Sequence, residues 1–299
     1  MTNDTGSTLY CNDELVLPEK ITKDFVLSIG SASYFTIPIS AVAIIGNGFV
    51  IAAIKKDKSL KSKQNLLIAF LAFADLLTGI VSMPLQEAYD IYLIKQGYVP
   101  CNLSLAAVIT NSLLAAMSAV TIALMSCDRF LAFCYVTKYR AWSLKGLYTI
   151  IYIASWLFSI VFIVLFILVP HSNVLRMIGT IFISLVLCLI CLLNIILFMS
   201  LKVNIRIMSR VMIQDAVNKR RRLLRQSAIT LVVIVLVFIL CFLPRAVFLA
   251  VASSKNHKAH LWTLNVLYLN SALNPLIYGF RSRAIFDAIA KILRLCKLR

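Results

Sequence analysis

The stretch Leu66–Gln86, LLIAFLAFADLLTGIVSMPLQ, decides the fold. It is apolar for long enough to cross a hydrocarbon core about 30 Å thick, which takes about 20 residues as an α-helix. It shows no sustained period-two alternation and is far longer than the roughly ten residues of a barrel strand. No water in lipid can satisfy its backbone, so the segment must bond within itself as a helix. At its middle stands one carboxylate, Asp75. An ionisable group at that depth is costly and marks function.

Six more stretches of the same kind surround it: Leu27–Ile54, Leu103–Cys127, Gly146–Val169, Met177–Leu201, Ser227–Ala252 and Leu261–Phe280. The chain is 61% apolar and 14% charged, with a mean hydropathy of +0.91. A soluble domain averages roughly 45–50% apolar and 25% charged residues. The expected fold is an all-α membrane protein, a seven-transmembrane helix bundle. Residues 1–24 form a tail, 25–281 the bundle, and 282–299 a short amphipathic eighth helix with the C-terminal tail.

The formal net charge is +18, and its placement orients the bundle. The first, third and fifth connections and the C-terminal tail hold 23 of the 30 basic residues against four acids, a net of +19. The opposite side has a net of −1, and Asp75 and Arg245 cancel within the spans. Positive loops stay in the cytoplasm. The N-terminus is therefore expected outside and the C-terminus inside, at the plasma membrane. Topology accounts for the charge, so it does not indicate nucleic-acid binding. Residues 1–24 lack the apolar core of a signal peptide, so the first span is expected to direct its own insertion. Asn3-Asp4-Thr5 is an acceptor sequon on the outer side, and Asn102-Leu103-Ser104 lies too near the membrane to serve.

Short polar motifs recur on several spans: Gly46-Asn47, Asp75, Asp128-Arg129-Phe130, Trp156, Phe238-x-x-Cys241-Phe242-Leu243-Pro244, and Asn274-Pro275-Leu276-Ile277-Tyr278. In type and order they resemble the rhodopsin-like, class A G protein-coupled receptors over roughly residues 27–296. The resemblance implies an extracellular ligand, a heterotrimeric G protein partner and a two-state rearrangement. Asp128 would restrain Arg129 at rest, and Tyr278 would move inward to join the freed arginine. Phe238, Phe242, Pro244, Asn274 and Pro275 would belong to the same switch, with Phe130 beside it. The resemblance also implies an allosteric sodium site from Asp75, Ser118, Asn270, Ser271 and Asn274. On the residues alone, a hydrogen-bonded network that satisfies a buried carboxylate is the other reading.

The chain also departs from the family. An acidic partner for Arg129 on the sixth span would fall at Leu224, among Arg220, Arg221, Arg222 and Arg225, which predicts some agonist-independent activity. The fifth span has neither proline nor tyrosine, Ala119 stands at the switch position of the third, and Phe242 replaces the usual tryptophan. The family's outer disulfide has no cysteine in the second outer loop here. Of eight cysteines, Cys11 and Cys101 face the oxidising side, so they either pair or stay as free thiols. Cys296, near the end of the amphipathic segment, is a palmitoylation candidate beside an equally open unmodified thiol.

Ligand chemistry is narrowed by exclusion. Tyr268 occupies the place of an opsin's retinal lysine, so no retinal is expected, and no cofactor is required. Asn111 replaces the aspartate that anchors amines in the family. Asn111, Phe242, Arg245, Phe248, Asn265, Tyr268 and Glu87 are the expected pocket, for a small-molecule, lipid or peptide ligand. Arg245 is placed to bind a carboxylate or phosphate. An ion pair with Glu87, or a snorkelling arginine, explains it as well. The basic cluster at 219–225 and the amphipathic tail suit anionic inner-leaflet lipid.

Two rival classes are weaker. An intramembrane hydrolase needs ligands or a nucleophile–base pair in the spans, but His171, His257 and His260 all fall in outer connections. A transporter would show internal repeats and broken helices. A receptor-like chain without G protein coupling, or a transporter, is the alternative; an enzyme is not expected.

Overall fold

The computed structural model describes residues 23–168, 185–196, 199, 214–251 and 257–297. All the regular structure in them is helical. The long helices are α1 (Lys23–Lys56), α2 (Lys63–Leu77) running on into α3 (Met83–Gln96), α4 (Cys101–Cys134), α6 (Leu144–Leu168), α7 (Leu185–Ile196), α8 (Gln214–Val251) and α9 (His257–Arg281). A short α5 (Val136–Ala141) follows α4, and α10 (Arg283–Lys297) ends the described chain. Five of the described helical segments are long and apolar enough to cross a membrane. α9 carries too many amides and hydroxyls in its inner half to match their hydropathy, and α7 is described for only part of the fifth span.

The second span is longer than the sequence suggested. It continues to Gln96, ten residues beyond the expected end at Gln86. Between α2 and α3 lies one π-helical turn, Thr78–Ser82, in which the Met83 N–H reaches back to the Thr78 carbonyl. Pro84, at the start of α3, has no N–H to continue an α ladder. The wide turn absorbs that break without ending the span. It also re-aims Ser82, which is fully buried and turned toward α4.

Small residues set the closest helix approaches. A Cβ on Gly46 of α1 would lie 2.6 Å from the Pro275 ring of α9. A Cβ on Gly79 would lie 2.8 Å from Ile44. These contacts bring α1 against α9 and the π turn, as small residues do in membrane bundles. Thr36 and Asn47 staple the same seam: Thr36 Oγ1 donates to Asn265 Oδ1 at 2.7 Å, and Asn47 Nδ2 donates to the Ser271 carbonyl at 3.0 Å.

The main apolar core lies between α1, α2, α4 and α8, with Leu67, Leu71, Ile122, Ile234 and Phe238 fully or almost fully buried. α6 sits at the edge and turns Ile150, Ile153, Leu157 and Phe158 outward. Such a belt of exposed apolar side chains fits hydrocarbon as its solvent. α10 has the expected two faces, beginning at Arg283 where the sequence suggested Ser282. Ile285 and Ala288 pack into the core, while Arg283, Lys291 and Arg294 are exposed. Phe286 and Leu293 also remain exposed, as a helix lying in the membrane surface requires. The side chain of Cys296, those of the 219–225 basic cluster including Leu224, and residues Asn3 and Cys11 lie outside the described residues, as does the second outer loop.

Candidate functional site

Three polar layers are stacked through the apolar bundle. The innermost forms at the end of α4, where Asp128 is completely buried. Its Oδ2 accepts from Arg129 Nε at 3.0 Å, and Arg129 Nη2 closes the fork on the same oxygen. Its Oδ1 accepts from Tyr139 Oη at 2.6 Å and Tyr148 Oη at 2.9 Å. A buried carboxylate is tolerable when it is paired and its lone pairs are filled, and this one meets both conditions. Burial, then the hydrogen bond and charge of Asp128, push the Tyr139 phenol up, so that it stays a donor.

Tyr139 is presented by α5, and α5 is tied down from α2. Lys63 Nζ donates to the Tyr139 carbonyl at 2.8 Å and to the Trp142 carbonyl at 2.6 Å, and its ammonium lies 4.2 Å from the Tyr139 ring centroid. A lysine on the last carbonyls of a short helix satisfies groups that have no partner within it. Neither tyrosine was expected from the sequence. They follow Asp128 by 11 and 20 residues, and an aromatic at the inner end of a span reads as an interfacial belt residue. Phe130 is half-buried next to the pair.

The middle layer is built on Asp75. It too is fully buried, but its partners are neutral. Ser271 Oγ donates to Oδ1 at 2.8 Å, Asn274 Nδ2 donates to Oδ2 at 2.7 Å, and Ser118 faces the same carboxylate. Residues 270, 271 and 274 share one face of α9 because side chains three and four apart align. The four residues expected around this carboxylate, Ser118, Asn270, Ser271 and Asn274, are all buried. Three of the amide oxygens in this layer, on Asn47, Asn270 and Asn274, have no hydrogen-bond partner, and neither has the Tyr278 hydroxyl. A cavity of about 20 Å³ opens just above, bordered by Ser118, Asn270, Ser271, Asn111 and Tyr268. That is room for about one water-sized sphere.

The outer layer begins at the same cavity. Asn111 Oδ1 accepts from Ser82 Oγ at 2.5 Å and from Tyr268 Oη at 2.7 Å. Asn111 Nδ2 lies 3.5 Å from Gln86 Oε1, and Gln86 Nε2 donates to Asp90 at 3.2 Å. Phe242 lies lower on α8, stacked on Phe238 with centroids 5.4 Å apart, and Pro244 sits within the same helix. Arg245 Nη1 lies 3.1 Å from His260 Nδ1 and packs over Phe248.

Two expectations about this layer change. Asn265 is not turned toward Asn111 and Tyr268; it is bonded to Thr36 and buried in the α1 seam. α9 directs residues 265 and 268 to different neighbours, a difference of phase that a linear pocket list ignores. Arg245 makes no ion pair with Glu87, since among the described residues the ion pair found is Arg129–Asp128. Its neighbour is instead His260, which the sequence placed in a loop and the structure places on α9. Cys101 opens α4 and is disulfide-bonded, whereas Cys127, Cys134, Cys188, Cys191 and Cys241 are free thiols.

Comparison with known proteins gives these layers their context. A family profile described as "7 transmembrane receptor (rhodopsin family)" matches residues 46–278. The chain is 28% identical to somatostatin receptor type 5 of Bos taurus over 295 residues, 87% of this chain and 75% of that receptor. It is 24% identical to melanocortin receptor 5 of Homo sapiens over 288 residues, 89% of this chain and 85% of that one. A probable muscarinic acetylcholine receptor of Caenorhabditis elegans is 29% identical over 127 residues, 40% of this chain but only 17% of that protein's length. The matched segment carries Asp75, the Asp128–Arg129 pair and the Asn274–Tyr278 motif on the helices where the geometry above uses them. The chain therefore belongs to the rhodopsin family of seven-transmembrane, G protein-coupled receptors, membrane proteins that are not enzymes.

Proposed function

We propose that the chain is a plasma-membrane receptor, N-terminus outside, that binds an extracellular ligand and activates a heterotrimeric G protein. The observation that carries this reading is the clamp on Arg129. Its guanidinium is held by Asp128, and Asp128 is held by two further helices through Tyr139 and Tyr148. A ligand that favours a second arrangement of the bundle shifts the population toward it. Release of Arg129 then opens the cytoplasmic end to the G protein, and Tyr278, whose hydroxyl has no partner in this arrangement, turns to meet it. By linkage the bound G protein tightens the agonist by the same factor. The test is nucleotide exchange on purified G proteins in vesicles containing the receptor without added ligand. Basal exchange above that of empty vesicles is expected, and Arg129→Ala should lower it about tenfold or more, a loss of about 1.4 kcal/mol or more. Unchanged exchange in that variant overturns the coupling role.

The Asp75 layer fits a sodium ion. Its donors are all oxygens: one carboxylate, the Ser118 and Ser271 hydroxyls, and the idle amide oxygens of Asn270 and Asn274. A hard cation prefers such a set. Bound there, sodium would neutralise Asp75 and favour the arrangement in which these helices stay together. The relatives are named for different ligands, somatostatin, melanocortin and acetylcholine, so no single ligand carries over from them. On the outer side, Cys11 is proposed as the partner of Cys101 and Asn3 as a glycan acceptor. On the inner side, Cys296 is proposed to be palmitoylated, and the basic face of α10 to rest on anionic lipid.

A further inference from the structure

Arg245 is a cation that no acid among the described residues answers. It stands on α8 directly after Pro244 and is half-buried. Its Nη1 lies 3.1 Å from His260 Nδ1, and its guanidinium carbon lies 5.6 Å from the Phe248 ring centroid. His260 meets the same ring edge-on, with centroids 5.8 Å apart. Because an arginine can only donate, Nδ1 is the acceptor and the imidazole's other nitrogen carries the proton. A guanidinium has five N–H donors in a rigid fork. His260 engages one of them, and the Phe248 ring meets the guanidinium without accepting a hydrogen bond. No carboxylate of the described residues lies within ion-pair distance.

Tyr268 follows His260 by roughly two turns of α9, borders the central cavity, and donates from its hydroxyl to Asn111 at 2.7 Å. A partly desolvated guanidinium of this kind is completed by an oxyanion, two of whose oxygens accept parallel N–H bonds from it. Among the described residues the arginine is held by an aromatic ring and an imidazole rather than by an acid, so an incoming anion displaces no carboxylate of theirs. We propose that Arg245 and His260 seat an oxyanion head, a carboxylate or phosphate of the ligand, with Tyr268 and Asn111 reading the polar group next to it. This rests on the receptor reading above and adds the sign of the ligand's charge.

The test uses the full chain in nanodiscs of uncharged lipid and reads thermal unfolding, which requires no G protein. Butyrate and inorganic phosphate are the soluble probes. Oleate and oleoyl lysophosphatidate are the membrane-borne ones, with oleyl alcohol as the uncharged control. At least one anion should raise the unfolding temperature while the alcohol does not. Arg245→Gln should weaken its apparent Kd by about tenfold or more, as loss of a charged hydrogen-bonded pair does. Arg245→Lys should keep part of the response, because it retains the charge but not the fork. His260→Ala should weaken the response less and leave its charge selectivity intact. A response from the soluble probes alone assigns the head group to a water-borne ligand, and one from the lipids alone to a membrane-borne ligand. Equal shifts in wild type and both Arg245 variants, or no shift from any anion, overturn the proposal. If Arg245→Gln does not fold, the lysine and His260 variants decide it. Anion binding without nucleotide exchange would count against coupling, and exchange without anion binding would count only against this seat.

Discussion

Asp128 and Asp75 are both buried carboxylates in one bundle, and the chain treats them in opposite ways. Asp128 is closed: an arginine neutralises it, and two phenols from α5 and α6 fill its remaining lone pairs. Asp75 is open: its donors are hydroxyls and an amide, no cation pairs with it among the described residues, and three amide oxygens nearby are left without partners. A buried ion pair is strongly destabilised when one member is removed, because the other charge is then stranded. A carboxylate among neutral dipoles has its countercharge still to be supplied. The first arrangement suits a latch whose state is set inside the protein. The second suits a site that exchanges an ion with the solution.

The largest effect should come from breaking the closed site. Asp128→Ala leaves Arg129 and two phenols without their acceptor, and should cost about 3–5 kcal/mol of stability, the range for a broken buried pair. It should also raise basal nucleotide exchange; a variant that melts earlier while its exchange falls would mean that the pair is scaffold rather than latch. Tyr148→Phe is a finer probe. It removes one hydrogen bond to a charged acceptor, worth about 1.5–3 kcal/mol. Basal exchange should rise there as well, but less than in Asp128→Ala, as read in the same vesicles.

Next in size is the seam behind the open site. Gly46→Ala forces a methyl group onto the Pro275 ring, one residue from Asn274. Overpacking of this kind costs about 1–3 kcal/mol, measurable as an earlier thermal transition. It should also shift the sodium response, because the Asn274 amide moves with Pro275. The smallest effect is expected at Asp75 itself. Asp75→Asn should barely change stability in sodium-free buffer, because the new amide keeps the neutral partners. It should remove the increment that wild type gains from sodium, about 1.4 kcal/mol at ten times the ion's Kd. An unchanged sodium increment in that variant would place the ion elsewhere.

Much of this was legible in the sequence. Asp75, Ser118, Asn270, Ser271 and Asn274 were grouped because the resemblance to the receptor family implies that set; helical phase by itself puts only 270, 271 and 274 on one face. Arg129 and Asp128 are sequence neighbours, so their pairing is local. Tyr139, Tyr148 and Lys63 were not legible. Tyr139 and Tyr148 reach Asp128 from the helices that follow α4, Lys63 reaches Tyr139 from α2, and nothing in their local pattern separates them from ordinary interface residues. Asn265 and His260 show the same limit from opposite directions: one left the expected pocket for α1, and the other joined it from an assumed loop.

By itself the sequence marked seven apolar segments, the connections between them that carry the positive charge, and the few polar residues within them. Those follow from transfer energies and the length of a helix, which act on each segment separately. Only the tertiary structure decided which buried charge is answered and which is not. That depends on how α5, α6 and α9 turn against α4 and α2, and on the π turn at Thr78–Ser82 that re-aims Ser82. Two aspartates that look alike as isolated letters thereby differ, one paired with an arginine and one met by neutral groups, and Arg245 meets an imidazole and a ring rather than an acid among the described residues.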